Sequence, residues 1–118
     1  MLSNFNTSLE LLEVVQREQL YKKLLLQLKK DFDLANVPIQ ITMDATPAEL
    51  KSLLHEKIYF LIVEKFSEYL NLLYVVDISE KEVKKIAPSD AVDVSAEVAF
   101  LLLKREWQKV WYKAKYSR

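Results

Sequence analysis

The sequence predicts an all-α fold, a small helical bundle, from three observations. Apolar residues recur at helical spacing along most of the chain, tetrads with the form of a capping box stand before three of those stretches, and glycine is absent from all 118 residues. With 51% hydrophobic and 29% charged residues, the chain has the composition of one globular domain spanning 1–118 rather than of a disordered or membrane protein.

Thr7-Ser-Leu-Glu10 opens the first helical segment, and Leu20, Tyr21, Leu24, Leu25, Leu28 and Phe32 carry an apolar stripe to about Ala35. The polar turn Gln16-Arg-Glu-Gln19 interrupts it, so residues 1–16 read either as a separate short helix or as a mobile N-terminal arm. Pro38 disfavours helix at Val37, and Ile39, Ile41 and Met43 then alternate with polar residues as in a short extended piece. Thr46-Pro-Ala-Glu49 is the strongest local signal in the chain: an N-cap, a proline at the first helical position and a capping glutamate. It predicts a second long helix reaching Val76, apolar on most of its faces, which marks a central core helix or an oligomer seam. Ser79-Glu-Lys-Glu82 opens a short helix, and Pro88-Ser-Asp90 marks a loop. Ser95 is the expected N-cap of an amphipathic C-terminal helix with Val98, Leu102, Trp107, Val110, Trp111 and Ala114 on its apolar side. Val92 and Val94 alternate with Asp93, an arrangement suited to a minimal two-stranded ribbon with residues 39–43.

The absent residue types exclude several chemistries. A chain of this length would carry about eight glycines at average usage. Without any, the phosphate-cradling P-loop, the dinucleotide-binding fingerprint and the Gly-x-Ser-x-Gly elbow are excluded. With no cysteine there is no disulfide, thiol nucleophile or cysteine-held metal, and a single His55 cannot form a histidine cluster. His55-Glu56 has the start of the His-Glu-x-x-His zinc motif, but Tyr59 stands where the second histidine is required. Ser52, three residues before His55, likewise breaks the Glu-x-x-His pattern of di-iron bundles. The carboxylate pairs Glu10/Glu13, Glu64/Glu68 and Glu80/Glu82 read as solvated helix faces. No catalytic residue, cofactor site or metal site is therefore expected.

Residues Met1 to Gln16 contain no Lys or Arg and no apolar core of an export signal, and the longest apolar runs, 58–63 and 98–103, are six residues each. A cytoplasmic protein that does not enter the membrane is expected. The C-terminal segment departs most from the rest. Residues 104–118 hold six Lys or Arg (Lys104, Arg105, Lys109, Lys113, Lys115 and Arg118) against Glu106 alone, a net +5, so in this neutral chain residues 1–103 carry −5. Arg105, Lys109, Tyr112, Lys113 and Tyr116 share one side of a helical wheel. Lys104, Arg105, Lys109, Tyr112, Lys113, Lys115 and Tyr116 thus form the candidate interaction surface. The expected function is a non-enzymatic protein–protein interaction or scaffold protein that pairs with itself, as a homodimer, or with another protein. The alternative is a nucleic-acid-binding module using this basic, aromatic helix, and a small-ligand binder or enzyme stands third.

Overall fold

The computed structural model describes residues 5–116, and six helices make up its regular structure. They are α1 (Ser8–Arg17), α2 (Tyr21–Leu34), α3 (Pro47–Glu64), α4 (Phe66–Val76), α5 (Glu80–Lys84) and α6 (Ala91–Tyr116). The fold is all-α, as the sequence predicts. α3 and α6 make the most extensive helix–helix contact, α1 lies against both, and α2 packs on α6 and α4. Of residues 1–16, the first four lie outside the described residues, and from Ser8 onward the chain is a docked helix: Leu11, Leu12 and Val15 are fully buried.

Two expectations fail locally. Among the described residues no strand forms: residues 39–43 cross the surface unpaired, with Ile41 buried, while 91–94 are the first turn of α6. The three-residue alternation at Val92–Val94 was too short to outweigh helical spacing, since Ala91, Val94 and Val98 also fall on one helix face. Ser95 accordingly sits inside the helix, fully buried, with its hydroxyl donating to Val92 O at 2.9 Å. Asp90 caps α6 instead, its Oδ1 accepting from Asp93 N at 2.9 Å.

The second long helix is broken at Lys65 (φ −139°, ψ 60°), which separates α3 from α4. Leu50, Leu54, Ile58, Leu61, Tyr69, Leu72 and Val76 form the buried stripe of the two helices. At the spacing of three and four that joins them, position 65 also belongs to the stripe. An unbroken helix would drive a lysine ammonium into the core, at a cost of several kcal/mol. The break leaves Lys65 exposed. Thr46 meanwhile forms the expected capping box with Glu49.

With no glycine to end its helices, the chain places Gln19, Asn36 and Asp77 in the left-handed region, at φ 60°, 63° and 71°. Each is followed by an apolar residue whose N–H reaches back five residues: Leu20 to Val15 O, Val37 to Phe32 O and Ile78 to Leu73 O, at 2.9–3.1 Å. These are Schellman closures, and in each the apolar residue after the turn stacks toward the helix it ends. Asn and Asp tolerate this conformation better than other non-glycine residues, so Gln19 carries the most strain. A left-handed L-residue costs roughly 1–2 kcal/mol, and glycine returns about 0.5–1 kcal/mol of that as entropy lost on folding. Gln19→Gly should therefore stabilise the fold by about 0.5–1 kcal/mol in urea denaturation, whereas Gln19→Ala should not.

Candidate functional site

The C-terminal helix carries the residues singled out from sequence, and most of its cations are already engaged by the rest of the molecule. Arg105 closes the end of α4: Nε donates to Asp77 O at 3.2 Å, Nη2 to Asp77 Oδ2 at 3.0 Å and Nη1 to Gln108 Oε1 at 3.3 Å. Lys109 Nζ lies 2.7 Å from Asp31 Oδ2, and Lys113 Nζ donates to Gln27 Oε1 at 3.0 Å. Lys104 lies over the Phe100 ring and Lys115 over Trp111. The acidic remainder of the chain thus neutralises part of the basic helix within one molecule.

The pairing of residue 27 with 113 and 31 with 109 shows that α2 and α6 run antiparallel. At its centre is a buried polar clasp that sequence reasoning missed. Asp31 and Glu106 are 4% and 0% exposed. Gln27, also buried, donates through Nε2 to Asp31 Oδ1 at 3.2 Å. As a carboxylate Glu106 would have no donor within hydrogen-bond distance of either oxygen, because Lys109 Nζ stands 3.7 Å from Oε2. Burial, then the hydrogen bond to Asp31 and its charge, push the Glu106 pKa from 4.5 up to about 9 against the weaker pull of Lys109 and Arg105. Glu106 is therefore a neutral acid whose hydroxyl donates to the Asp31 carboxylate. For Asp31, burial acts upward, but hydrogen bonds from Glu106 and Lys109, the Lys109 charge and the Gln27 amide outweigh it and hold the pKa below 3.8. The sequence held one sign of this clasp: Glu106, the only acid among the final basic residues, falls on the same helical face as Val98, Leu102 and Val110.

Beside the clasp, α2 and α6 border an open groove of 540 Å³. Lys23, Lys30 and Lys113 stand around it, with Gln27 between, over Leu26, Val110 and Ala114. Of these residues only Lys113 was a candidate from sequence. Arg105 and Lys104 instead border a second, mixed-charge groove with Asp77 and Glu82. At the end of α6, Tyr112 and Tyr116 stack with ring centroids 5.7 Å apart, and Trp111 meets both edge-on. Tyr112 and Tyr116 are exposed, so the aromatic end of the candidate surface faces outward.

A third surface lies on α3 and α4. Tyr59, Phe60, Val63, Phe66, Leu70 and Tyr74 are 40–83% exposed. Phe66, Leu70 and Tyr74 repeat at intervals of four along α4, one stripe flanking its buried face. His55 is taken up structurally: its Nε2 lies 2.9 Å from Val92 O, joining α3 to the start of α6. A carbonyl can only accept, so Nε2 carries the proton. Among the described residues, no three His, Asp or Glu side chains gather as a metal site, and no helix is long and apolar enough to cross a membrane. No protein-family model, curated protein or solved structure matches the chain.

The clasp links stability to pH with opposite signs. Asp31, with its folded pKa lowered, contributes stability above its ordinary 3.8 that is lost as pH falls through the folded value. Glu106, with its folded pKa raised, contributes stability that is complete below 4.5 and lost as pH rises from there to about 9. Urea melts should therefore show the clasp contributing most in mildly acidic solution and declining toward alkaline pH. Glu106→Gln keeps a donor beside Asp31 and should flatten the alkaline decline.

Proposed function

We propose that the protein is a non-enzymatic interaction protein that pairs with a second copy of itself through the outer faces of α3 and α4. The observation that carries this reading is the run of six exposed apolar side chains from Tyr59 to Tyr74. Exposed apolar surface of this kind, rimmed by polar residues, characterises association sites. Four of the six, Tyr59, Phe60, Phe66 and Tyr74, are aromatic rings on α3 and α4 outside the core, and Tyr, Phe and Trp are enriched where proteins meet. A second copy suits the charge pattern. Lys57 and Lys65 alternate with Glu56, Glu64 and Glu68 along the same segment, so a two-fold axis between residues 60 and 61 would set Lys57 against Glu64 and Glu56 against Lys65. The pairing of His55 with a backbone carbonyl also supports a non-catalytic reading, since any Ser-His-Asp triad would have to run through that ring.

A nucleic-acid-binding role is the second reading, supported by the exposed Tyr112–Tyr116 stack with Lys115 nearby. The engagement of Arg105 and Lys109 by Asp77 and Asp31 narrows it to the tip of α6. Substituting Lys109 would disturb the fold along with any binding, and Arg105 is already taken by Asp77, so Lys115→Glu with Tyr112→Ala and Tyr116→Ala is the sound variant. Low-salt gel shifts on single-stranded DNA and RNA should show binding lost in that variant if this reading holds, and blank lanes with the unaltered protein end it.

For the leading reading, light scattering after size exclusion should give a dimer mass. Phe66→Glu with Leu70→Glu should give a monomer whose thermal melt is preserved, because both residues are more than half exposed. A monomer at every concentration tested, with nothing co-purifying from the native cell, would falsify it.

A further inference from the structure

We propose that the groove between α2 and α6 binds a small amphiphilic anion, a carboxylate or phosphate head on an aliphatic tail. Lys23 and Lys30 lie two turns apart on one face of α2, about 10 Å along the axis at 1.5 Å per residue. Lys113 faces them from α6 opposite Gln27, between the two. Three ammonium groups thus surround one concavity, and no carboxylate lines it among the described residues. The arrangement contrasts with the rest of the interface. Lys109, one turn before Lys113, is neutralised by Asp31, and Arg105 by Asp77, whereas Lys23 and Lys30 form no ion pair among the described residues. Lys113 donates to a neutral amide and forms no ion pair among the described residues. Like charges converging on a concave surface raise the local concentration of anions there.

The floor selects what the anion carries. Leu26 is 54% exposed, and with Ala114 and the edge of Val110 it presents aliphatic carbon between the lysines. No aromatic ring lines the groove to stack a base, and no array of fixed donors reads a sugar. The volume of 540 Å³ suits a small molecule. The distance of about 10 Å between the α2 lysines is shorter than a docked partner helix of three turns, about 16 Å. An aliphatic chain covering Leu26 while its acidic head meets Lys113 and one α2 lysine satisfies both halves of the lining.

The test is titration of the full chain, followed by amide NMR shifts, with decanoate and decyl phosphate below their micelle-forming concentrations. Decanol, inorganic phosphate and vesicles of pure phosphatidylglycerol serve as comparison probes. The expected result is saturable shifts centred on residues 23–30 and 110–114 with one or both amphiphiles, weakening as salt is raised. The tighter of the two names the head group. Lys23→Gln with Lys30→Gln should lower that affinity roughly tenfold or more without moving the thermal melt, since charge-assisted contacts are lost from two exposed side chains. Leu26→Asn should weaken the amphiphile and leave inorganic phosphate unaffected. Equal shifts from inorganic phosphate alone would show that the tail has no place. Binding to vesicles without binding to the monomeric amphiphiles would assign the groove to a lipid surface. Either result, unchanged affinity in the lysine variant, or no shift at the groove overturns the proposal.

Discussion

Asp31 keeps its charge between α2 and α6 because Glu106 beside it holds a proton, Lys109 sits 2.7 Å away and the Gln27 amide donates to it. The contacts at this site join matching turns of the two antiparallel helices. Each fully buried leucine of the surrounding core stabilises the fold by about 1.5–3 kcal/mol, but such packing is directionless and would accept a shifted register. The clasp would not. Removing one partner of a buried pair typically costs about 3–5 kcal/mol, because the other charge is stranded, while an exposed pair such as Arg105–Asp77 contributes about 0–1 kcal/mol. Apolar burial therefore supplies most of the stability, and the polar contacts at residues 27, 31, 106, 109 and 113 specify which turn of α2 meets which turn of α6.

That constraint divides the charges of the molecule. The basic surplus of the last fifteen residues is partly absorbed where Arg105 and Lys109 meet acids from the −5 remainder. The cations left unopposed around a concavity are Lys23, Lys30 and Lys113, and two of them come from α2 rather than from the basic segment. The positive surface is consequently built from two helices distant in sequence. The apolar surface on α3 and α4 is separate from it, carried by other elements, so self-association and anion binding would not compete for the same side chains.

The break at Lys65 accounts for that apolar surface. A chain with so many hydrophobic residues between 50 and 76 has more apolar side chains than one core-facing stripe accommodates, and Lys65 stands within the stripe. Ending one helix and starting another removes the lysine from the core while keeping Leu61 and Tyr69 inside it. Tyr59, Phe60, Val63, Phe66, Leu70 and Tyr74 are left outside. The sequence contained both signs, the excess of apolar residues and the lysine on the stripe; the excess was read as one long central helix or an oligomer seam, and the lysine that breaks the helix was overlooked.

Local chemistry explains what was legible without coordinates. Thr46-Pro-Ala-Glu49 caps its helix as the tetrad requires, the all-α class follows from the spacing of apolar residues, and the polar turn at 16–19 ends α1. These features depend on residues within four or five positions of one another, so the sequence determines them directly. The start of α6 was misplaced because an alternation of three residues satisfies two periods at once, and the helical spacing of Ala91, Val94 and Val98 with the Asp90 cap was given too little weight. The clasp and the basic groove lay beyond sequence reasoning for a different reason. Asp31 and Glu106 are 75 positions apart, and whether a carboxyl is solvated, paired or protonated depends on the burial and neighbours that only the antiparallel packing of α2 on α6 creates.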